Sequence, residues 1–169
     1  LLKMGFIFQQ MYMMKKLSIM DNIVLPGYQA GIVSRDEVNK KAEELMRRLG
    51  IIETAEREIT EVSGGQLQRA CLARALINSP KVLFADEPTG ALNSKESLEV
   101  LSEMVKANEA GTTVLMVTHS EKVAASSDRI IYLMDGDIQG ELVLGKMGGN
   151  SSTLNTEVSG EEGTDGAVQ

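Results

Sequence analysis

The sequence predicts an α/β fold with a mostly parallel sheet and a helical segment inserted into it. Three largely apolar runs, at residues 82–85, 113–117 and 129–133, lack polar alternation, which is typical of strands buried on both faces. Helical segments separate these runs, and an order of strand, helix, strand favours parallel pairing. Residues 5–8 are aromatic and β-branched, so they predict the end of a further buried strand ahead of the helical segment.

Capping signals locate two helix starts within the inserted segment. Ser34 and Glu37 have the spacing of a capping box, and apolar residues follow at helical spacing. Ser63 and Gln66 repeat this arrangement, and their helix is predicted to continue until the breaker residues 78–80. The segment between the first strand and residue 80 is therefore predicted to be helical.

Local signals assign most of the remaining chain. A turn is predicted at residues 26–27, which are Pro-Gly, and a third helix over residues 94–110. Residues 135–136, Asp-Gly, predict a hairpin turn, after which residues 138–144 return as a strand. Residues 147–169 contain few large apolar side chains, so we expect a disordered tail there.

Charge and composition exclude several classes of protein. The chain has 17 Lys plus Arg against 24 Asp plus Glu, a net charge of −7, which argues against a nucleic-acid partner. A single cysteine, Cys71, excludes an internal disulfide framework and suits a reducing compartment. No apolar run approaches the roughly 20 residues needed to span a bilayer, so any membrane-spanning part is expected elsewhere.

The strongest chemical signal lies at the end of the apolar run at residues 82–85. Asp86 and Glu87 follow directly, before Pro88, and the last side chains of a parallel strand reach the sheet edge where ligands bind. An Asp at that edge can hold Mg²⁺, and the adjacent Glu can polarise an attacking water. The alternative is a strand that happens to end in two acids before a turn.

A second signal lies at the predicted helix start, where residues 63–66 read S-G-G-Q. Gly64 and Gly65 would let a phosphate approach the backbone, and the helix N-terminus favours an anion. The Ser63 hydroxyl can donate to a phosphate oxygen. Taken alone, an ordinary capped helix with a flexible entry explains this segment better.

Together, the two motifs resemble the ATPase family of ABC transporters. Residues 62–69 read V-S-G-G-Q-L-Q-R, residues 73–76 read A-R-A-L and residues 85–90 read A-D-E-P-T-G, with one helix between the two motifs. The resemblance covers about residues 4–145 and implies a RecA-like phosphate-loop NTPase core with an inserted α-helical subdomain. It implies ATP as the substrate and Mg²⁺ as the metal.

The resemblance also implies roles for single residues. Gln9 lies where the family has its Q-loop glutamine, which contacts Mg²⁺ and the γ-phosphate, and His119 follows a strand where the family has its switch histidine. Asp86 would bind the metal together with Gln9, and Glu87 would be the catalytic base. The family's signature loop corresponds to Ser63, Gly64, Gly65 and Gln66. Asn93 lies in the D-loop, where the family usually has Asp, so coupling across the dimer is expected to be altered.

One expected motif has no counterpart in the sequence. A phosphate loop, G-x-x-x-x-G-K-[ST], should precede Gln9 by several tens of residues. We therefore expect a domain truncated at its N-terminus, without the first strands of its sheet, that does not hydrolyse ATP by itself. Residues 140–146 match the first seven positions, but Met147 replaces the hydroxyl residue and the middle residues are strand-like, so this match is expected to be fortuitous.

The resemblance implies two protein partners. A second nucleotide-binding domain would pair head to tail, and a permease subunit would dock through its coupling helix, placing the chain on the cytoplasmic face of the membrane. Met13 and Met14 are candidates for the docking groove, and core packing is the equal alternative.

The resemblance also predicts how the chain is divided into domains. Residues 1–10 would form the end of a core strand and the Q-loop, residues 11–79 the helical subdomain, residues 80–146 the α/β core and residues 147–169 the tail.

The amino-acid sequences of these motifs are most similar to those of the ATPases that export macrolides, release lipoproteins or export antimicrobial peptides. The alternative is a DNA-repair or chromosome-maintenance ATPase of the same superfamily. Those proteins insert a very long coiled coil between the Q-loop and the signature motif, whereas Gln9 and Ser63 are only 54 positions apart. The sequence therefore favours a transport ATPase.

Overall fold

The computed structural model describes residues 3–145 of the chain as five strands and five α-helices. In chain order they are β1 (Met4–Ile7), α1 (Ile19–Ala30), α2 (Arg35–Arg48), α3 (Gly64–Leu76), β2 (Val82–Asp86), α4 (Ser94–Glu109), β3 (Thr113–Val117), α5 (Glu121–Ala124), β4 (Arg129–Met134) and β5 (Asp137–Val143). Two short 3₁₀ helices, Ile52–Thr54 and Ile59–Glu61, lie between α2 and α3. The predicted tail at residues 147–169 lies outside the described residues.

Strands β1, β2 and β3 form a parallel sheet in that order, which confirms the predicted α/β class. Leu83 at its centre is fully buried and lies between Gly5 and Val114. Gly5 lacks a side chain where the sheet meets α3, because a Cβ there would lie 2.7 Å from the carbonyl oxygen of Ala75. The close approach of α3 to β1 therefore depends on this glycine.

The prediction that β3 is covered on both faces is wrong. Leu115 and Val117 are each 52% exposed, whereas Val114 and Met116 pack against the core. Helices α1 to α4 pack on the face that carries Leu83, and alternate side chains of a strand point to opposite faces. An apolar run can therefore predict a strand without telling how many of its faces are covered.

The predicted turn at Pro26 and Gly27 is also wrong, because both residues lie inside α1. Gly27 packs so tightly on α2 that a Cβ would lie 2.6 Å from a methyl group of Val38. Asn78 donates its side-chain N–H to the Pro26 carbonyl at 3.1 Å. These contacts and the burial of Ile23 offset the cost of a proline within a helix.

Both predicted helix starts are confirmed. Ser34 caps α2 and Ser63 caps α3, each in a reciprocal capping box with the Glu or Gln three residues later. Asn93 caps α4 in the same way with Glu96. The cores of α1, α2, α3 and α4 then meet in one apolar cluster with β1 and β2.

The chain divides into two compact units, Leu1–His119 and Ser120–Gln169. In the second unit, β4 pairs antiparallel with β5, and Asp135 and Gly136 both have positive φ in the turn between them. The hairpin turn is confirmed, but β4 is largely exposed rather than buried, and β5 is its partner in the two-stranded sheet. Residues 140–143 lie within β5, which supports a fortuitous match to a phosphate loop; Lys146 lies outside the described residues.

The predicted domain boundaries at residues 10, 79 and 146 stay predictions.

Among residues 3–145, no helix is both long and apolar enough to cross a lipid bilayer.

Candidate functional site

The parallel sheet brings the predicted catalytic and metal-binding residues to one edge. Asp86 is the last residue of β2, Gln9 lies two residues beyond β1, and His119 two residues beyond β3. The register aligns Ile7 with Ala85 and Asp86 with Val117, so the three strands end at nearly the same level. Residues separated by as many as 110 positions in sequence therefore share the carboxyl edge of the sheet.

Glu87 is the most firmly held side chain at this edge. One carboxylate oxygen accepts the backbone N–H of His119 at 2.7 Å, and the other accepts the Thr118 hydroxyl at 3.3 Å. The Glu87 N–H donates to the Val117 carbonyl at 3.0 Å. The side chain is 19% exposed, so the carboxylate is fixed in orientation and still reaches solvent.

The backbone of Glu87 adopts a conformation that is uncommon for a residue with a side chain. Its φ is +45°, in the left-handed region. Such conformations persist only where surrounding contacts impose them, and they occur often at functional sites. At Glu87 the imposed conformation turns the carboxylate towards β3 and its following loop, where Thr118 and His119 bind it.

His119 contributes a solvent-exposed imidazole beside this carboxylate. Its imidazole is 95% exposed, and Nε2 lies 3.9 Å from a Glu87 carboxylate oxygen. The backbone N–H of the same residue is fixed on Glu87, so the side chain is anchored at its base and free at its end. It can therefore contact a ligand in front of the sheet edge.

Asp86 and Gln9 are exposed at the same edge, and their oxygens suit Mg²⁺. The part of the chain that the structure describes contains no cluster of three His, Cys, Asp or Glu that could hold a metal ion. Mg²⁺ needs no such cluster, because it is commonly bound by one or two carboxylates together with substrate phosphates and water. The donor set therefore fits a magnesium ion that arrives with a phosphorylated ligand.

The S-G-G-Q loop forms the N-cap and first turn of α3, in which Ser63 and Gly64 are exposed and Gly65 is buried. Ser63 Oγ accepts the Gln66 N–H at 3.1 Å, and Gln66 Oε1 accepts the Ser63 N–H at 2.9 Å, so the hydroxyl proton of Ser63 is still available as a donor. A Cβ on Gly64 would meet nothing within 4 Å, whereas one on Gly65 would lie 3.1 Å from the Glu96 carboxylate. Gly64 thus leaves room for a ligand, and Gly65 permits the packing of α3 on α4.

Two buried polar residues next to this loop were not predicted as functional. Gln68 is 5% exposed and donates to the Glu87 carbonyl at 3.0 Å, and Arg69 is 6% exposed and pairs with Glu96 at 2.9 Å. The sequence contains one sign that Gln68 is buried, which is its spacing. Gln68 lies one helical turn before the core residue Leu72 and so faces inwards. Through Gln68, α3 reaches the sheet edge that carries Glu87.

The ABC transporter family model matches residues 2–90, more than half of the chain, and this match includes both motifs. The chain belongs to the ABC transporter family. Its resemblance to the nucleotide-binding domains of that family, including the RecA-like phosphate-loop NTPase fold, is thereby confirmed.

Relatives of this ABC transporter chain include exporters and a lipoprotein-release system. It is 46% identical over 134 residues to the macrolide export ATP-binding/permease protein MacB of Escherichia coli, covering 79% of the chain and 21% of that protein. It is 39% identical over 140 residues to the lipoprotein-releasing system ATP-binding protein LolD of Aquifex aeolicus, covering 83% and 62%. The chain thus spans about a fifth of the length of the macrolide exporter.

Solved structures with a fold similar to that of this chain belong to the same family. A dimeric, post-hydrolysis state of the ATP-binding cassette MJ0796 bound to ADP and Pi is 38% identical to the ABC transporter chain, with a TM-score of 0.78. The match covers 84% of this chain and 63% of that one. The identity and the TM-score together show that the chain has the fold of an ATP-binding cassette.

Proposed function

We propose that this chain forms part of an ATP-hydrolysing subunit that energises an ABC exporter of the macrolide, peptide or lipoprotein-release type. The observation that carries this proposal is the Glu87 carboxylate, fixed at the carboxyl edge by the His119 N–H and the Thr118 hydroxyl and directly beside Asp86. A general base needs a fixed carboxylate within reach of solvent, and Glu87 meets that requirement. The exporter and lipoprotein-release relatives support the transport role.

The proposed reaction is hydrolysis of ATP to ADP and phosphate. Glu87 takes a proton from a water molecule, the water oxygen bonds to the γ-phosphorus, and the bond to the bridging oxygen of ADP breaks. Asp86 and Gln9 would hold Mg²⁺, which neutralises charge on the phosphate oxygens. His119 and Gln9 would contact the γ-phosphate.

The proposed assembly is a head-to-tail dimer of nucleotide-binding domains. Ser63, Gly64, Gly65 and Gln66 of one copy would close on the nucleotide held by the other, using the hydroxyl, the open space at Gly64 and the free N–H groups of the helix start. Asn93 would lie at the same interface. The dimeric state of the solved cassette supports this arrangement.

The proposed permease contact lies beside β1. Phe8, Tyr12 and Met14 are 47%, 63% and 55% exposed there, and the rings of Phe8 and Tyr12 meet edge to face at 5.8 Å. Such a group of exposed apolar side chains suits an apolar partner, here the coupling helix of a permease subunit. This contact would place the chain on the cytoplasmic face of the membrane.

The proposed function is tested by steady-state ATP hydrolysis in the complete transporter. We expect Mg²⁺-dependent hydrolysis by the wild type, and Asp86→Asn should raise the Mg²⁺ concentration needed for half-maximal turnover. Residues 1–169 by themselves contain no phosphate-loop motif, so they should bind Mg-ATP weakly and fail to hydrolyse it. A complete transporter without ATPase activity would disprove the function, and tight Mg-ATP binding by residues 1–169 would disprove the inactivity of this segment.

A further inference from the structure

We infer that Gln68 is a positioning residue for ATP hydrolysis, which connects the signature helix α3 to the backbone of Glu87 and to the loop that leads to Asn93. This inference rests on the proposed function, in which Glu87 is the general base. It assigns to α3 a second task besides presenting its first turn to a nucleotide.

The two ends of the Gln68 amide contact both sides of the loop after β2. Nε2 donates to the Glu87 carbonyl at 3.0 Å, and Oε1 accepts the Ala91 N–H at 3.2 Å. Gln68 is 5% exposed, so its own amide is largely shielded from water. An amide supplies a donor and an acceptor in one neutral group, which these two backbone partners require.

Glu87 needs such a contact because its backbone lies in the left-handed region. Its N–H is bound by the Val117 carbonyl, and its carbonyl accepts both Gln68 and the Gly90 N–H, the latter at 3.2 Å. Loss of the Gln68 bond would remove the contact from α3 that holds this peptide. The carboxylate would then sample orientations other than the one that Thr118 and His119 bind.

Arg69 extends the same connection to the next helix. It pairs with Glu96 at 2.9 Å, and Glu96 in turn accepts the Asn93 N–H at 3.2 Å in the cap of α4. Two consecutive residues of α3 therefore hold the loop from Glu87 to Asn93 at both of its ends. A displacement of α3 when its first turn engages a nucleotide would move this loop directly.

The first test replaces Gln68 by Ala in the complete transporter. We expect Gln68→Ala to lower kcat by about 10- to 100-fold, because a small displacement of a catalytic group is enough for such a loss, with little change in KM for ATP. Gln29→Ala, an exposed position on α1, is the matched control and should leave both constants unchanged. A kcat within twofold of wild type, or a loss confined to KM, would overturn the inference.

The second test uses Gln68→Glu, which keeps the shape of the side chain. A protonated Glu at this position can donate to the Glu87 carbonyl and accept from Ala91, whereas an ionised one cannot donate. Burial raises the pKa of a carboxyl group and so favours the protonated form. The kcat of Gln68→Glu should therefore exceed that of Gln68→Ala, and should not decrease relative to wild type as the pH is lowered from 8 to 6; a kcat no higher than that of Gln68→Ala at pH 6 would contradict positioning.

Amide hydrogen exchange separates failure of the inference from failure of the proposed function. Gln68→Ala should speed exchange at Ala91, whose acceptor is lost, and leave exchange in α1 unchanged. Faster exchange with a normal kcat would overturn the catalytic role of Gln68 while the proposed function stands. A wild type without ATPase activity would instead refute the proposed function and, with it, the catalytic part of this inference.

Discussion

A single amide at Asn93 joins the loop after Glu87 to the first turn of α4. Its side-chain oxygen accepts the Glu96 N–H at 3.0 Å, and the Glu96 carboxylate accepts the Asn93 N–H at 3.2 Å. Asn and Asp are about equally good helix caps. The departure from the Asp expected in a D-loop therefore leaves the local structure intact, and any effect of the lost charge would fall on the proposed dimer contact.

The cap at Asn93 gives a prediction about stability. Asn93→Ala should lower the free energy of unfolding by about 1 kcal/mol, because an N-cap bond is lost, whereas Asn93→Asp should change it by less than about 0.5 kcal/mol. Urea denaturation of the purified protein measures both. Equal destabilisation by the two substitutions would show that Asn93 contributes through something other than its cap.

Alanine substitutions at the two glycines of the signature loop should differ in their effect on stability. Gly65→Ala should destabilise the fold by about 1 kcal/mol, since the new methyl group meets Glu96 and Leu92 at 3.1 and 3.2 Å. Gly64→Ala should leave the melting temperature unchanged and weaken ATP-dependent dimerisation, because its methyl group points into open space where a phosphate would approach. Size-exclusion chromatography with ATP and thermal melting distinguish the two, and a stability loss at Gly64 would contradict the assignment.

At the residue scale, the sequence predicts caps better than it predicts the orientation of catalytic groups. Ser34 and Ser63 begin helices as expected, because capping depends on neighbours within three residues. The orientation of Glu87 depends on His119 and Gln68, which lie 32 and 19 positions away. No local pattern contains those contacts.

At the scale of elements, tertiary packing overrides local propensity in α1. Pro26 predicts a break, yet the helix continues to Ala30 and ends at Gly31, whose φ of +63° is typical of a helix C-terminus. Asn22 is buried; its Oδ1 accepts the Met14 N–H and its Nδ2 donates to the Met14 carbonyl. This residue ties α1 to the Met-rich segment and so orders the loop after β1.

Two consecutive methionines of this loop differ in their exposure to solvent. Met13 is 9% exposed and belongs to the core, whereas Met14 is 55% exposed. Met13→Ala should therefore destabilise the fold by about 2 kcal/mol, and Met14→Ala should leave stability within about 0.5 kcal/mol of wild type while weakening the permease complex. Thermal melting and co-purification with the permease measure the two effects. An unchanged complex in Met14→Ala would rule out this part of the docking surface.

At the scale of the whole molecule, the sequence predicts the parallel sheet and the hairpin turn, but not that β4 lies outside the parallel sheet. The run at residues 129–133 has the composition of the buried strands, and the preceding short helix suggests a further crossover. The structure instead pairs β4 with β5, because Asp135 and Gly136 reverse the chain at once and β5 occupies the adjacent hydrogen-bonding edge. Strand β4 therefore pairs with the next strand in the sequence, although its composition is that of a buried parallel strand.

In the proposed function, ATP is hydrolysed at the carboxyl edge of this sheet with Glu87 as the base. The role of Glu87 is tested by Glu87→Gln in the complete transporter, since the amide keeps the size of the side chain but cannot take a proton from water. We predict a turnover at least about 100-fold below wild type, the low end of the contribution of a general base. ATP should remain bound, with the two nucleotide-binding domains held together. Wild-type turnover in Glu87→Gln would show that Glu87 is not the general base.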